Sequence, residues 1–376
     1  MSSRIVFGST PIINNYYWDA ALKHYGYNSK TLVFNSTTYI TESINWDIKI
    51  KFRNSEKRLL SYLFRIEAGV KATFSFVWHV FQFDIFVISF DGFLIGRIPV
   101  LWRAQSFIFR VLKKKVIAMP YGGDCYVYEN VKSMDIQQGL IDSYPMTRKE
   151  QKIIARRVSY WKKHANIILP GFMYADIYNA EDIHGFNNIK IIPSILAIDI
   201  DSWRSKRPPL VKGAVVEIAH MPNHRGLKGT EIIIEVIEEL KTEGFKINFN
   251  LIEKRPNSEV RILMQDKIHI LIDQIYAIGY GLNAIEAMAS SCVVMANLSD
   301  QSYTSLFINS YLRHCPIISV NKSNLKQELI KIIRDHARIN EVGDLSRTYI
   351  ENFHSYEYFS SVLNELIKTL KETKPD

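Results

Sequence analysis

The residues best placed for chemistry form a turn and a short helix in the second half of the chain. Gly279, Tyr280 and Gly281 follow a β-branched run that predicts a buried strand, and an apolar helical pattern begins at the next residue. Open α/β sheets bind nucleotides at such turns, because backbone N–H groups and the positive end of the helix dipole face the phosphate. Glu286 lies about one turn into this helix, within reach of a ribose hydroxyl. The pattern predicts a site for a nucleotide diphosphate.

A basic loop follows a strand predicted at 214–220. Arg225 and Lys228 lie in this loop, and Gly229 separates them from an amphipathic helix. Cations at this point could neutralise a diphosphate that gains negative charge as it departs, and so lower the barrier. Taken alone, the pair is more typical of a solvated turn before a helix. Beside the Glu286 segment, it favours a diphosphate site.

Both segments resemble the donor site of the retaining GT-B glycosyltransferases of family 4. That family binds a sugar nucleotide with a Gly-Phe-Gly-Leu turn and with a glutamate followed by Ala-Met-Ala. The matching residues are Tyr280-Gly281-Leu282 and Glu286-Ala287-Met288-Ala289. The resemblance implies that the turn contacts the donor, that Glu286 binds its ribose, and that Lys228 with Arg225 holds its diphosphate. It covers roughly the C-terminal 40 per cent of the chain.

The sequence departs from the family's pattern at two positions. The family's earlier glutamate falls on Ile278, so another group, such as Asp273, must contact the donor sugar if any carboxylate does. The family's arginine falls on Asn223, so Arg225 fills that role only in a rearranged loop.

The length and the alternation of patterns predict two domains. Apolar strand patterns alternate with helical patterns, which indicates parallel sheets. With 376 residues and 47% hydrophobic content, the chain exceeds what one core usually organises. The polar segment 199–213, with two prolines, is the predicted linker between an acceptor-side domain at 1–205 and a nucleotide-sugar-binding domain at 206–376. The resemblance implies the α/β GT-B fold, two Rossmann-like domains around a cleft, with a last helix that crosses back to the first domain.

Predicted strands and helices alternate in both domains. In the first domain, strands are predicted at 4–7, 30–34, 84–89, 115–119, 165–169 and 190–195, and helices at 16–25, 56–81, 101–114 and 148–164. In the second domain, strands are predicted at 214–220, 246–252, 268–272 and 292–297, and helices at 228–242, 257–265, 282–290, 324–338 and 356–370.

The first domain contains a candidate acceptor site. Gly122-Gly123-Asp124 follows a predicted strand and resembles a Gly-Ser-Asp element of some family members, which places Asp124 among the candidate catalytic residues. Asp124 could orient an acceptor hydroxyl or contact the donor sugar. It could equally be a turn residue whose carboxylate caps backbone N–H groups. Gly8 and Ser9, after the first strand, could also line the cleft.

Positive charge is concentrated in the first half of the chain. Residues 1–210 hold 28 Lys and Arg against 17 Asp and Glu, a net of +11, while residues 211–376 hold 19 against 21, a net of −2. Large apolar residues are interleaved with these cations near Leu59, Phe107 and Trp161. Such segments are solvated helix faces, or dock on an anionic membrane surface, or bind nucleic acid. Because no nucleic-acid motif accompanies them, we expect no nucleic-acid partner, and the other two alternatives stay open.

Several features favour a cytoplasmic setting, with peripheral attachment to the inner face of the membrane as an open alternative. No signal-peptide pattern follows Met1, and polar residues interrupt the apolar stretch 74–90. Cys125, Cys292 and Cys315 lack metal-ligand spacing, so we expect reduced thiols.

Together with these patterns, the resemblance implies a retaining hexosyltransferase that moves a sugar from a nucleotide-sugar donor to an acceptor hydroxyl. With no evident carboxylate nucleophile, the resemblance implies that the acceptor attacks from the face that the leaving group vacates. The resemblance implies that side-chain cations serve where other transferases use a metal, and the histidines and cysteines lack metal-ligand spacing, so we expect no cofactor and no metal ion. The expected acceptor is a glycan or a lipid-linked glycan of bacterial surface polysaccharide or glycolipid assembly. A sugar-nucleotide epimerase of the same fold and a catalytically silent GT-B binding protein remain alternatives.

Overall fold

The computed structural model describes residues 3–34, 44–53, 57–131, 133–169, 196–298 and 311–372. Within these ranges the chain forms two parallel sheets, each in its own lobe. The strands of the first sheet end at Ile168, and those of the second begin at Val216. The boundary predicted after residue 205 therefore falls between the two sheets.

The first sheet is built from mostly buried apolar strands. Its strands are β1 Arg4–Ser9, β2 Asn28–Phe34, β3 Ile48–Ile50, β4 Ile85–Ser89, β5 Lys115–Met119 and β6 Ile167–Ile168. They are parallel, in the order β3-β2-β1-β4-β5-β6. All of β4 is buried, as expected for a strand covered on both faces.

Helices flank this sheet, and aromatic side chains join two of them to it. They are α1 Ile13–His24, α2 Arg58–Gln82, α3 Ala104–Val111, α4 Met134–Ser143 and α5 Pro145–His164. The ring centroid of Phe109 in α3 lies 5.7 Å from that of Phe76 in α2 and 4.6 Å from that of Phe86 in β4. Therefore α2 and α3 cover the same face of the sheet.

In the second sheet, the order in which successive strands are added reverses at the centre. Its strands are β7 Val216–His220, β8 Ile247–Leu251, β9 Ile270–Ile278, β10 Val293–Asn297 and β11 Ile318–Ser319. They are parallel, in the order β11-β10-β9-β7-β8. Because β8 lies on one side of β7 and β9 on the other, the crevice for a ligand forms beyond the carboxyl ends of β7 and β9.

The helices of the second lobe include two short ones that border this crevice. They are α6 Arg225–Lys228, α7 Thr230–Thr242, α8 Asn257–Asp266, α9 Leu282–Ala289, α10 Leu325–Arg334, α11 His336–Phe353 and α12 Tyr356–Glu372. α6 follows β7, and α9 follows β9. The turns that precede α6 and α9 therefore meet where the strand order reverses, which we call the switch point.

The last helix crosses back to the first lobe. The rings of Phe359 in α12 and Trp18 in α1 stack with centroids 5.0 Å apart. The Ser360 hydroxyl donates a hydrogen bond to the Ala21 carbonyl oxygen at 3.1 Å. The last helix therefore packs against α1 of the first lobe.

Some predicted elements differ from the observed ones. The strand predicted at 268–272 continues to Ile278, and the helix predicted at 324–338 is two helices, because Asp335 caps a new one by accepting the Arg338 N–H at 2.9 Å. β3, β11 and α4 were not predicted. The strand predicted at 190–195 lies outside the described residues. None of the helices in the described ranges combines the length and apolar character that a membrane span needs.

We predict that Phe359→Ala lowers the free energy of unfolding by about 3–5 kcal/mol, because it removes a fully buried ring that joins the lobes. Urea denaturation of the full chain measures this change. The matched control is Glu365→Ala on the exposed side of the same helix, which should cost under about 0.5 kcal/mol. Equal losses for both variants would contradict the assigned role of Phe359.

Candidate active site

A cleft of about 550 Å³ lies between the lobes at the carboxyl ends of both sheets. Its size is typical of small-molecule sites. The predicted site residues that line it are Asp124, Lys228, Tyr280, Gly281, Leu282 and Glu286. Among the lining residues that the structure describes, Gly8, Ser9, Arg225 and Gly279 are absent.

Lys228 and Asp273 form a buried ion pair on the second lobe's side of the cleft. Their side chains are only 9% and 1% exposed. Lys228 ends α6, and Asp273 projects from β9, so the pair joins the two chain segments at the switch point. The other carboxylate oxygen of Asp273 accepts the Gly281 N–H at 3.1 Å. One aspartate thereby positions both the cation and the turn before α9.

A bulge in β9 allows Asp273 to reach these partners. Met295 of β10 pairs with Ile272, and Ala296 pairs with Gln274, so Asp273 is skipped in the ladder. Bulges re-aim side chains in this way. Asp273 and Gln274 are polar, which is why the sequence pattern ended the strand before them, yet both are buried.

Gly229 fixes the end of α6. It has a left-handed conformation, with φ of 73°, and it lies between the end of α6 and the start of α7. A Cβ at this position would also collide with the side chain of Ile275 in β9. Only glycine meets both requirements, so Gly229 holds the preceding Lys228 in place.

The turn between β9 and α9 is held by buried side chains. Gln274 donates a hydrogen bond from Nε2 to the Gly279 carbonyl oxygen at 2.9 Å, where φ is 97°. The Tyr280 hydroxyl lies 2.9 Å from the Tyr349 hydroxyl and 3.2 Å from His354 Nε2. The hydroxyl of Tyr280 is therefore engaged within the second lobe.

Glu286 is a fully buried carboxyl group at the wall of the cleft. Its Oε1 accepts a hydrogen bond from Asn257 Nδ2 at 3.0 Å. Its Oε2 has no hydrogen-bond partner within the described part of the chain. Burial raises the pKa of Glu286 to about 8. A ligand hydroxyl that donates to Oε2 would satisfy this atom and stabilise its ionised form.

Arg225 is bound to carboxylates outside the cleft. Its guanidinium donates to Glu231 at 2.9 Å and to Glu253 at 3.0 Å, and its side chain is 40% exposed. The structure therefore does not bring Arg225 together with Lys228 at a common ligand site. Asn223, where the family has arginine, does line the cleft.

The cations that the sequence reasoning missed follow β8. Lys254 and Arg255 line the cleft, and Lys254 has a positive φ of 53°. Among the residues that the structure describes, Lys254 forms no ion pair, whereas Arg255 pairs with Glu259 at 3.2 Å. A Lys-Arg-Pro-Asn run that begins two residues after the strand predicted at 246–252 was the available signal, because parallel strands end at the same edge.

Ile278 is accounted for by packing. It lies at the end of β9 and packs against apolar core residues of both lobes. Asp273, the suggested substitute for the missing glutamate, is committed to Lys228 and Gly281.

On the first lobe's side, Asp124 caps a turn at the cleft. Its Oδ1 accepts the Tyr121 N–H and its Oδ2 accepts the Phe90 N–H, both at 2.8 Å. Burial, together with the charge of Asp91, raises the pKa of Asp124 to about 8. The structure thus shows the capping role that the sequence left open, and it places the same carboxyl group at the cleft.

Gly8 and Ser9 lie behind the cleft surface. A Cβ on Gly8 would collide with the Leu32 carbonyl oxygen of β2, so the close approach of the two strands accounts for this glycine. Ser9 is buried, while Thr10 and Asn14 line the cleft nearby.

The two lobes touch closely beside Lys228. A Cβ on Gly139 in α4 would lie 2.8 Å from the Leu227 Cα of α6, and Leu227 packs within the core of the first lobe. The rings of Tyr144 and His224 lie 4.3 Å apart between centroids. The first lobe therefore helps to position the loop that carries Lys228.

His220, beside this loop, is held by hydrogen bonds within the second lobe. His220 is buried, with Nδ1 at 2.7 Å from the Ile272 carbonyl oxygen and Nε2 at 2.8 Å from the Thr230 hydroxyl, and burial lowers its pKa to about 4. Across the described ranges, no cluster of three or more His, Cys, Asp or Glu has the arrangement of a metal site.

Comparison with known proteins establishes the fold. No protein-family model matches this chain, and no curated protein matches it. A glycosyltransferase from Rickettsia africae is 14% identical over 100% of both chains, with a TM-score of 0.57. HepE of Anabaena, in complex with UDP-glucose, is 10% identical over 98% of this chain and 100% of that one, with a TM-score of 0.57.

A third match is partial. A point mutant of TarM from S. aureus, in complex with fondaparinux, α-GlcNAc-glycerol and UDP, is 14% identical, with a TM-score of 0.48 over 77% of this chain and 55% of that one. This chain thus spans about half the length of TarM. The two full-length likenesses and the paired parallel sheets show the predicted GT-B fold, with Rossmann-like domains on either side of a cleft.

We predict that Glu286→Gln changes the pH dependence of stability. With its pKa raised to about 8, Glu286 keeps a proton in the folded chain that the unfolded chain releases near the ordinary value of 4.5. Its contribution to the free energy of unfolding therefore falls between these pH values, by up to about 1.4 kcal/mol per unit. Because glutamine cannot ionise, Glu286→Gln should not show this fall in the free energy of unfolding.

Chemical denaturation at pH 5 and pH 8 measures the effect. The stability of the variant relative to the natural chain should rise from the lower pH to the higher one. Glu238→Gln, at a 60% exposed side chain, is the control and should show no such trend. A pH-independent difference for Glu286→Gln would refute the raised pKa.

Proposed function

We propose that this chain is a glycosyltransferase of hexosyl type that moves a sugar from a nucleotide-sugar donor to an acceptor hydroxyl. The observation that carries the proposal is that Glu286 and Lys228 line the same cleft at the switch point of the second sheet. A buried carboxylate oxygen without a partner suits a ribose hydroxyl, and a positioned ammonium suits a diphosphate.

The donor would lie along the carboxyl ends of β7, β8 and β9. Its ribose would donate to Glu286, and its diphosphate would contact Lys228 and the N-terminal turn of α9. Lys254 supplies the second cation in this proposal, because it lines the cleft while Arg225 is held by Glu231 and Glu253. Arg225 would join the diphosphate only by leaving those carboxylates.

We propose transfer with retention of the anomeric configuration. The bond between the sugar C1 and the phosphate oxygen breaks, the acceptor oxygen bonds to C1 on the same face, and the acceptor proton passes to the leaving diphosphate. Asp124 supports this route, since a raised pKa leaves it protonated and weakly nucleophilic at neutral pH. It would orient the acceptor hydroxyl by hydrogen bonding.

The remaining elements of the proposal concern partners. Lys228 and Lys254 would neutralise the leaving group, so no resident metal ion or other cofactor is needed. The acceptor would be a glycan or a lipid-linked glycan of bacterial surface polysaccharide or glycolipid assembly, met at the inner face of the membrane.

We predict that removing Lys228 weakens donor binding, whereas removing Arg225 does not. Lys228→Met combined with Asp273→Asn removes both buried charges and avoids an unpaired carboxylate. Calorimetry with a panel of sugar nucleotides should show about tenfold or greater loss of affinity for this double variant and under about twofold for Arg225→Ala. Lys254→Ala should fall between them, and added EDTA should change none of these values.

A larger loss of donor affinity for Arg225→Ala than for the Lys228 double variant would contradict the proposed donor site. Product analysis by NMR then separates the alternatives. A new glycoside with retained anomeric configuration supports transfer. An epimerised sugar nucleotide without acceptor identifies an epimerase, and binding without turnover across an acceptor panel identifies a silent binding protein.

We predict that Asp124→Asn lowers stability and transfer but leaves donor binding unchanged. One backbone N–H, of Tyr121 or Phe90, loses its acceptor, which costs about 1–3 kcal/mol. Transfer rates measured at a temperature where the variant remains folded should fall more than the folded fraction does. An unchanged transfer rate per folded molecule would show that Asp124 only caps the turn and takes no part in transfer.

A further inference from the structure

The surface of α2 shows an unusual concentration of apolar side chains in water. This helix of 25 residues exposes nine large hydrophobic residues, each between 39% and 72% exposed. They are Leu60, Tyr62, Leu63, Ile66, Val70, Phe74, Val77, Trp78 and Phe81. Monomeric soluble proteins rarely expose a contiguous apolar surface of this extent unless it binds something.

These nine residues occupy one side of the helix. At 3.6 residues per turn they fall within an arc of about 160°. The opposite side is buried, with Ala72, Phe76 and Val80 packed into the first lobe. The helix therefore contributes an apolar face to the core and a second apolar face, which we call the outer face of α2, to solvent.

The neighbouring helix extends this surface. In α3, Phe107 and Val111 are each 60% exposed, and α3 packs beside α2 through Phe109 and Phe76. Exposed cations border the apolar residues, namely Lys71 on α2, Arg103 and Arg110 at α3, and Lys113 after it, while Glu67 is an exposed acid within the same arc. Along the described part of α2 beyond Lys71, every exposed residue is apolar.

We infer that the outer face of α2 docks on an anionic lipid surface. Interfacial helices combine an aromatic and aliphatic face with Lys and Arg at its rim, and anionic lipid attracts the rim. The net charge of +11 in residues 1–210 has the matching sign. A second copy of this chain fits less well, because two such faces would bring like charges together.

Docking of α2 deepens the proposed function, because it would bring the first lobe to a lipid-linked acceptor. The helix lies along the membrane surface and does not cross it, in keeping with its interrupted apolar character. The binding itself requires neither donor nor turnover. Its test can therefore fail or succeed independently of sugar transfer.

The chain carries a natural probe of this contact. All six tryptophans lie within the described ranges, and Trp78 at 59% is the exposed one, while the other five are at most 7% exposed. Acrylamide quenching of tryptophan fluorescence therefore reports mainly on Trp78. Vesicles of equal parts phosphatidylcholine and phosphatidylglycerol should shift its emission to the blue and protect it, and pure phosphatidylcholine should do so much less.

Vesicle sedimentation of variants tests the face directly. Phe74→Ser with Phe81→Ser should lower the partition coefficient about tenfold or more, since two apolar side chains lose their burial in lipid. Lys71→Glu with Arg110→Glu should weaken binding to anionic vesicles, and added salt should weaken it in the natural chain. Ile262→Ser in α8, at 54% exposure in the second lobe, is the matched control and should bind normally.

Three outcomes would overturn the inference. Trp78 could remain fully quenched with anionic vesicles, or the control could lose as much binding as the α2 variant. Alternatively, Trp78 could be protected without vesicles while analytical ultracentrifugation shows a dimer that the α2 variant disrupts, which would assign the face to a second copy. Donor affinity, measured without lipid, should be the same in every variant.

Discussion

The buried ion pair between Lys228 and Asp273 is the interaction on which the arrangement of the cleft depends. A buried carboxylate or ammonium that lost its partner would be strongly unfavourable, so each residue requires the other. Around this pair, the β9 bulge, the Gly281 N–H and the left-handed Gly229 all have defined positions. The same pair also neutralises much of the charge of Lys228, which gives the nearby Lys254 its importance for an anionic ligand.

Much of this architecture was predictable because it depends on periodicity. Alternating apolar runs with intervening helical patterns predict parallel sheets, and the donor-site residues resemble those of a fold with two such sheets. Glu286 and Lys228 were singled out for the same reason, since each lies within a few residues of the turn that follows a predicted strand. The extent of β9 was missed because Asp273 and Gln274 are polar, and their burial depends on partners distant in sequence.

The role of Arg225 was harder to predict for a physical reason. Its position in the loop suggests a partner for Lys228, but the direction of an exposed arginine depends on which carboxylates lie near, here Glu231 and Glu253. Conversely, Lys254 follows β8, which pairs with β7 on the side away from β9. Its position after a predicted strand indicates the correct edge of the sheet, and the order of the strands then places it beside β7.

Leu227 links the two lobes mechanically. Its side chain belongs to the core of the first lobe, although its backbone belongs to the second, next to Lys228. Swinging the lobes apart would draw this leucine into water, at a cost of about 2 kcal/mol. This apolar contact therefore favours the observed distance between the lobes. A substrate too large for the cleft at that distance must break the contact of Leu227 with the first lobe before it can enter.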